Sequence, residues 1–340
     1  MRVLHLLASP FFSGPAEGVT QLAVAQRALG HDVSVAVDRK RLTKSSEELC
    51  APRLEALGLL ASAPLELSVK STPWAMMRDV QALKALSVDV VHAHFSHDHV
   101  LARLGRPRGA ALVRSVHAPR SLRWTAPVAD AWTVPTLELA RRLLGSPVLV
   151  LPAIVAPSFR PAEDRAALRA RLGLPAGPLV GMVSTFQPSR RHAVGLDAFA
   201  KVKARVPHAH LVLVGDGVLE PALRAQVKRL GLEGAVTFAG YQSGERFVSW
   251  LQALDEAWVL GLGNDYAARA AAQARACAVR VVAVDEGALE RFADAVVTPE
   301  AGAVAAAALI DARRPGTVEP VEAIARRVLE LYVRARGEPL

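Results

Sequence analysis

Short apolar runs with no polar alternation recur along this chain, and each is followed by a stretch of helical character. A strand with one wet face alternates apolar and polar residues, whereas a strand covered on both faces of a parallel sheet does not. The clearest unit runs from Glu256 to Val284. It reads as a strand over Ala257–Leu262, a turn at Gly263-Asn264, a helix from Asp265 to about Ala276, and a second strand over Arg280–Val284. Seven alanines between Ala267 and Ala276 favour the helix, and Asn264 or Asp265 is a natural N-cap for it.

The same rhythm runs in both directions from this unit. Strands are expected at Arg2–Ala8, Asp32–Val37, Pro64–Val69, Asp89–His94, Ala111–His117, Ala131–Val134 and Pro147–Leu151. A Gly/Pro loop fills Ser9–Gly18, and helices are expected at Val19–Leu29, Ser45–Leu57 and Pro73–Leu86. The proline-bearing stretch Pro152–Pro161 interrupts the alternation and reads as a linker. Strands resume at Pro178–Ser184, His210–Val214, Ala235–Phe238, Ala257–Leu262 and Arg280–Val284. Ile324, Val328, Leu331 and Tyr332 mark one face of a last helix over Val318–Arg336. The expected fold class is α/β, two doubly wound Rossmann-like domains facing a cleft, at residues 1–155 and 156–316 with a terminal helix in 317–340. In such sheets ligands bind beyond the C-terminal ends of the strands.

Composition narrows the partners. Half of the 340 residues are hydrophobic, yet no apolar run approaches the roughly 18 residues that span a bilayer. The opening MRVLHLLASPFF has the charge and apolar stretch of a weak signal peptide, but a loop and helix follow at once and it reads as a first strand. Cys50 and Cys277 form no metal or redox pattern, so a reducing cytoplasm is expected. The net charge is +9, with an excess of six basic residues within 1–155. That balance suits an anionic small molecule or an anionic membrane surface. Basic residues are spread thinly and only 5% of residues are aromatic, so nucleic acid is not an expected partner.

Several residues stand out for chemistry. A strand feeding a tight turn into a helix N-terminus offers free N–H groups and a positive dipole end to a phosphate. Asp265 and Gln273 lie eight residues apart on that helix, about 12 Å, a separation that suits a ligand with a diphosphate between two hydroxylated groups. The plainer alternative is a capping Asp265 and a solvated Gln273. His117 ends a strand. His92, His94, His97, Asp98 and His99 form a cluster whose spacing matches no common zinc site, with His92 and His94 on one side of a strand.

At these segments the chain resembles the family-4 glycosyltransferases of the GT-B fold. The resemblance rests on Ser13-Gly14-Pro15-Ala16-Glu17, Val90-Val91-His92-Ala93-His94, Arg114-Ser115-Val116-His117 and Phe186-Gln187-Pro188-Ser189-Arg190-Arg191-His192. It continues through Leu213-Val214-Gly215-Asp216-Gly217, Phe238-Ala239-Gly240-Tyr241 and Gly263-Asn264-Asp265-Tyr266-Ala267-Ala268-Arg269-Ala270. The resemblance implies a retaining, metal-independent hexosyl transfer from a nucleotide-sugar to a cell-envelope lipid, lipid-linked or saccharide acceptor, with no cofactor. It implies that Asp265 holds sugar hydroxyls, that Arg190 binds the diphosphate, and that His117 contacts the donor sugar. These three are the catalytic candidates. Gly14 would allow close backbone approach to the donor, Tyr241 would face the base, and His94 and His97 would line the acceptor side. The terminal helix would cross back onto the N-domain, and the protein would sit in the cytoplasm or on the inner face of the plasma membrane. Two departures lie in the helix motif: Gln273 replaces the acid that binds the ribose, and Tyr266 replaces a glycine at the phosphate-facing turn. Thr185 also stands where the family has a second basic residue. The alternative is therefore a non-catalytic homologue acting as scaffold or partner subunit.

Overall fold

The computed structural model describes residues 1–12, 14–39, 48–70, 72–122, 128–143, 145–151, 153–261, 268–308 and 318–338. The chain divides into two compact units, one of Met1–Ala156 with Glu319–Leu340 and one of Pro157–Val318.

Unit 1 contains β1 (Arg2–Leu7), α1 (Gly14–Ala28), β2 (Asp32–Val37), α2 (Cys50–Ala56), α3 (Pro73–Lys84), β3 (Val90–Ala93), α4 (Ser96–Gly105), β4 (Ala111–Ser115), β5 (Ala131–Val134), α5 (Leu137–Arg141) and β6 (Val148–Val150). Its strands form a parallel sheet in the order β2-β1-β3-β4-β5-β6. The period of two sorts side chains to opposite faces. Val3 and Leu7 of β1 join the core under α1, while Leu4 and Leu6 join the one under α3 and α4.

Unit 2 contains α6 (Arg165–Arg171), β7 (Leu179–Val183), α7 (His192–Arg205), β8 (His210–Val214), α8 (Glu220–Arg229), β9 (Val236–Gly240), α9 (Gly244–Ala253), β10 (Glu256–Val259), α10 (Arg269–Ala276), β11 (Arg280–Val284), β12 (Ala295–Val297) and α11 (Ala301–Ala307). Its parallel sheet runs β12-β11-β10-β7-β8-β9. The last helix, α12 (Val321–Ala335), returns to unit 1 and packs on α1, with Ile324, Val328, Leu331 and Tyr332 buried.

The structure departs from the sequence expectations in five places. Pro64–Val69 is not a strand: the Glu66 and Leu67 N–H groups donate to the Asp79 carboxylate at 2.8 and 2.9 Å, and Leu67 has φ of 50°. Helix α1 begins at Gly14, inside the expected Ser9–Gly18 loop. Helix α10 begins only at Arg269, because Ala268 before it is left-handed (φ 57°). The N-cap of α10 is Ala268, and Asp265, the expected cap and the first of the Asp265–Gln273 pair, lies outside the described residues. Lastly, β12 and α11 were not anticipated. Of the expected Ser45–Leu57 helix, only Cys50–Ala56 forms among the described residues.

Candidate active site

The C-terminal ends of the two sheets carry different sets of polar groups. In unit 1, His5 and His92 are register partners on β1 and β3, and His94 follows two residues later on the same side. All three are essentially inaccessible, set into an otherwise apolar layer beneath α1 and α12. His5 Nδ1 lies 3.0 Å from His94 Nε2, and His5 Nε2 lies 2.9 Å from Gln26 Oε1. The Gln26 amide donates to Tyr332 Oη at 3.2 Å, and that oxygen is 2.6 Å from His92 Nδ1. His92 Nε2 is 2.7 Å from Ser115 Oγ, itself 2.7 Å from Thr133 Oγ1. Helix α12 is thus tied to the sheet by a hydroxyl as well as by apolar packing.

Burial sets the charge state of this group. It pushes His5 down to about 4 and holds His92 and His94 well below the usual imidazole range, with neighbouring imidazoles adding to the shift in the latter two. His117 lies two residues beyond β4, its ring stacked on His94 at 6.0 Å between centroids. Burial, then Arg114, lowers it to about 4. Neither His117 Nε2 nor His94 Nδ1 has a hydrogen-bond partner among the described residues. Asp98 on α4 is pushed up to about 7 by burial, although its carboxylate accepts the N–H groups of Ala8 and Phe95 at 3.0 and 2.9 Å. His97, half-buried at the second position of α4, is lowered by burial against the pull of Asp79 and Asp38. Gly14 is the first residue of α1.

Among the described residues, the group able to hold a metal is His5, His92 and His94, with one ring nitrogen from each lying within 4.8 Å of the others. The hydrogen bonds above already engage both nitrogens of His5, both of His92 and Nε2 of His94. The sequence grouped His92 and His94 with His97, Asp98 and His99. The structure instead joins them to His5, Gln26 and Tyr332. The available signal was a histidine and a glutamine at buried positions of an apolar strand and helix.

In unit 2 the groups are glycine backbone and guanidinium. Beyond β7, Ser184 N–H donates to Val214 O at 3.1 Å and Phe186 N–H to Asp216 O at 2.6 Å. Gly215 and Gly217 have φ of 140° and 150°, and a Cβ on them would stand 2.2 Å from Ser184 O and 2.7 Å from Phe186 O. Only glycine lets these two loops touch. A single 3-10 turn, Pro188–Arg190, leads through a left-handed Arg191 (φ 57°) into α7. Arg190 Nε, Arg191 Nη1 and His192 Nδ1 are buried and have no hydrogen-bond partner among the described residues. Gly261, after β10, lies against Arg190: a Cβ there would stand 3.1 Å from Arg190 Cδ. Tyr241, 54% exposed, follows β9. Gln273 is the fifth residue of α10 and is buried at 2% exposure, so it is not the solvated side chain of the plainer reading. Thr185 is exposed. Asp265 and Tyr266 lie outside the described residues.

Solved structures share this two-unit architecture along the whole chain. HepE from Anabaena, solved in complex with UDP, matches with a TM-score of 0.72 at 19% identity, covering 99% of this chain and 98% of that one. A glycosyltransferase from Rickettsia africae matches at 0.74 and 15% identity, covering 98% of each chain. Sucrose-phosphate synthase from Thermosynechococcus elongatus matches at 0.70 and 19% identity, covering 98% and 99%. The fold is GT-B, two parallel α/β units of doubly wound type.

Two family descriptions match in tandem: glycosyltransferase family 4 over residues 12–180 and glycosyl transferases group 1 over residues 177–332. The chain belongs to the family-4, group-1 glycosyltransferases. Among curated relatives, D-inositol 3-phosphate glycosyltransferase of Streptomyces bingchenggensis is 30% identical over 45% of this chain and 36% of its own length. The enzyme of that name from Mycobacterium leprae is 29% identical over 59% and 54%. The chain thus spans between about a third and a half of the curated relatives it matches. Among the described residues, no helix is long and apolar enough to cross a membrane.

Proposed function

We propose that this chain transfers a sugar from a nucleotide-sugar to a cell-envelope lipid or saccharide acceptor, with retention at the sugar carbon and without a metal. The observation that carries the proposal is the gathering of donors at the end of the unit 2 sheet. Arg190 and Arg191 present buried donors with no hydrogen-bond partner among the described residues, beside a left-handed turn and the N-terminus of α7, and Gly261 adds no side chain. Fixed guanidinium donors stabilise the negative charge that develops on a departing diphosphate. In this reading Asp265 holds the sugar, Gln273 and Tyr241 face the nucleoside, Tyr266 adjoins the phosphate turn, and Gly14 gives backbone access to the donor. His117 contacts the transferred sugar, and His94 and His97 belong to the acceptor. The nucleotide complexes of structural relatives, with UDP and UDP-glucose for HepE, support a nucleotide-sugar donor.

A second reading, a non-catalytic relative serving as scaffold or partner subunit, is favoured by one observation. Gln273 is a neutral amide, buried where the resemblance expects a ribose-binding carboxylate. Calorimetric titration with UDP-, GDP- and ADP-sugars separates the two. Transferase chemistry requires saturable binding of one of them, and the scaffold reading requires none.

A further inference from the structure

Tracing each bond in the buried histidine cluster fixes which nitrogen carries the proton. Gln26 gives an amide hydrogen to Tyr332 Oη, so its Oε1 is the atom facing His5 Nε2, and it accepts. His5 is therefore protonated on Nε2 and bare on Nδ1. His94 Nε2, 3.0 Å from that bare nitrogen, must donate to it. This leaves His94 Nδ1 as an unshared lone pair. The other branch runs outward: Tyr332 receives from Gln26 and passes its own hydrogen to His92 Nδ1. His92 then donates from Nε2 to Ser115, whose hydroxyl shares a hydrogen with Thr133. Every ring nitrogen of His5 and His92 is used, and the chain of donors begins at the His94 ring, whose Nδ1 stays outside it.

That atom is buried and unpartnered among the described residues, an arrangement that native proteins keep rare because a desolvated acceptor is unfavourable. The neighbouring His117 Nε2, beyond the next strand, is likewise buried and without a partner among the described residues, and the two rings stack 6.0 Å apart. Two orphan imidazole nitrogens at adjacent parallel strand ends occupy the position where such sheets take ligands. An anion gains nothing from a bare lone pair. A cation finds two nitrogens there, short of the three protein ligands of catalytic zinc sites. A hydroxyl supplies what is missing, a single hydrogen-bond donor.

We propose that His94 Nδ1 accepts a hydrogen bond from a saccharide hydroxyl at the C-terminal ends of β3 and β4, and that Gln26 and His5 are positioning residues that hold its lone pair in place. His117, partly exposed as a residue, lies beside the His94 ring and stacks on it. The hydroxylated ligand class rests on the transferase reading above, whereas the proton positions do not.

The test is 15N-histidine NMR on the full chain, with glucose added at high concentration in the presence of UDP. His5, His92 and His94 should each carry the proton on Nε2, and glucose should move the His94 Nδ1 resonance. Gln26→Glu keeps an acceptor for His5, so it should retain the His94 tautomer and the glucose response. Gln26→Leu should mix the tautomers and weaken the response at least tenfold. Tyr332→Phe should disturb His92 while leaving the His5–His94 pair unchanged. A proton on His94 Nδ1 overturns the inference, as does a correct tautomer that glucose never shifts or one that shifts only with added zinc. Calorimetry with UDP-, GDP- and ADP-sugars on the same sample separates the two failures. Binding there with a silent His94 sinks the inference alone; no binding, with a glucose-responsive His94, sinks the transferase reading alone.

Discussion

The two sheet ends are built from different materials. Unit 1 buries neutral imidazoles joined by hydroxyl and amide groups, a surface suited to uncharged hydroxylated ligands. Unit 2 sets the Gly261 backbone against Arg190, next to Arg191 in the chain, a combination suited to an anion. The difference shows how one fold, used twice in one chain, divides its chemistry. Unit 2 spends backbone freedom on close loop contact, and unit 1 holds polar rings in an apolar layer by hydrogen-bonding nearly all of their nitrogens.

The largest effect should come from unit 2's loop contact. Gly215→Ala or Gly217→Ala would force a Cβ onto the Ser184 or Phe186 carbonyl in a backbone region that alanine rarely adopts. Either should destabilise by about 3 kcal/mol or more, read as a fall in the denaturant midpoint. A loss below about 1 kcal/mol would mean that these loops do not need their glycines.

Acid should break unit 1 first. Its buried histidines are lowered from 6.5 to about 4, as in His5, His99 and His117. Between pH 6.5 and about 4 the unfolded chain therefore binds more protons than the folded one, and stability falls as pH falls through that window. Asp98, raised to about 7, works in the opposite direction, gaining stability as pH falls from 7 toward 4. Three histidines outweigh one aspartate, so the net loss should reach several kcal/mol, roughly 10 °C in melting temperature. Unit 2 contributes His192 alone at about 4 among the described residues. Thermal scans at pH 7 and pH 5 on His5→Gln and His192→Gln chains would show which unit carries the effect. A steeper dependence left in the His5 variant than in the His192 variant would reverse the assignment.

Much of the scaffold was legible because buried parallel strands write themselves as unbroken apolar runs. The limits of β2, β5, β8 and β11 agree with the expected ones, and the terminal helix was readable from its apolar face. Pro64–Val69 misled because its apolar residues are buried by a loop whose N–H groups bond to a distant carboxylate, Asp79. The start of α10 was missed because alanine propensity says nothing about a left-handed Ala268. Site legibility followed the same division. Arg190 sits in a local segment, so its candidacy could be read from a motif. The His5–Gln26–Tyr332 linkage includes a bond between residues 306 positions apart and has no local signature. It becomes visible only when three elements meet.

Smaller effects sharpen the comparison. Gln273→Glu with Tyr266→Gly should tighten nucleotide-sugar binding about ten- to a hundredfold, on the order of 1.4–2.7 kcal/mol. Because Gln273 is buried, the same pair should lower the stability of the ligand-free protein. Strong wild-type binding with no gain in the variant would mean that the pocket is built around Gln273 and Tyr266 as they stand. The smallest effect belongs to the surface. The basic excess within residues 1–155 should give salt-sensitive association with anionic but not neutral liposomes, about 1 kcal/mol for each basic residue near the surface. Equal sedimentation with both kinds of vesicle would remove the membrane from the account.

The central claim is that unit 2 is the anion-binding end and Arg190 its ligand-facing charge. Isothermal titration of UDP, GDP and ADP, and of their sugars, into wild type and Arg190→Ala tests it directly. We expect one nucleotide series to bind the wild type saturably, and Arg190→Ala to weaken it at least tenfold, consistent with about 1.5–3 kcal/mol for a charge-assisted contact. Unchanged affinity in Arg190→Ala, or no binding of any series to the wild type, would contradict it.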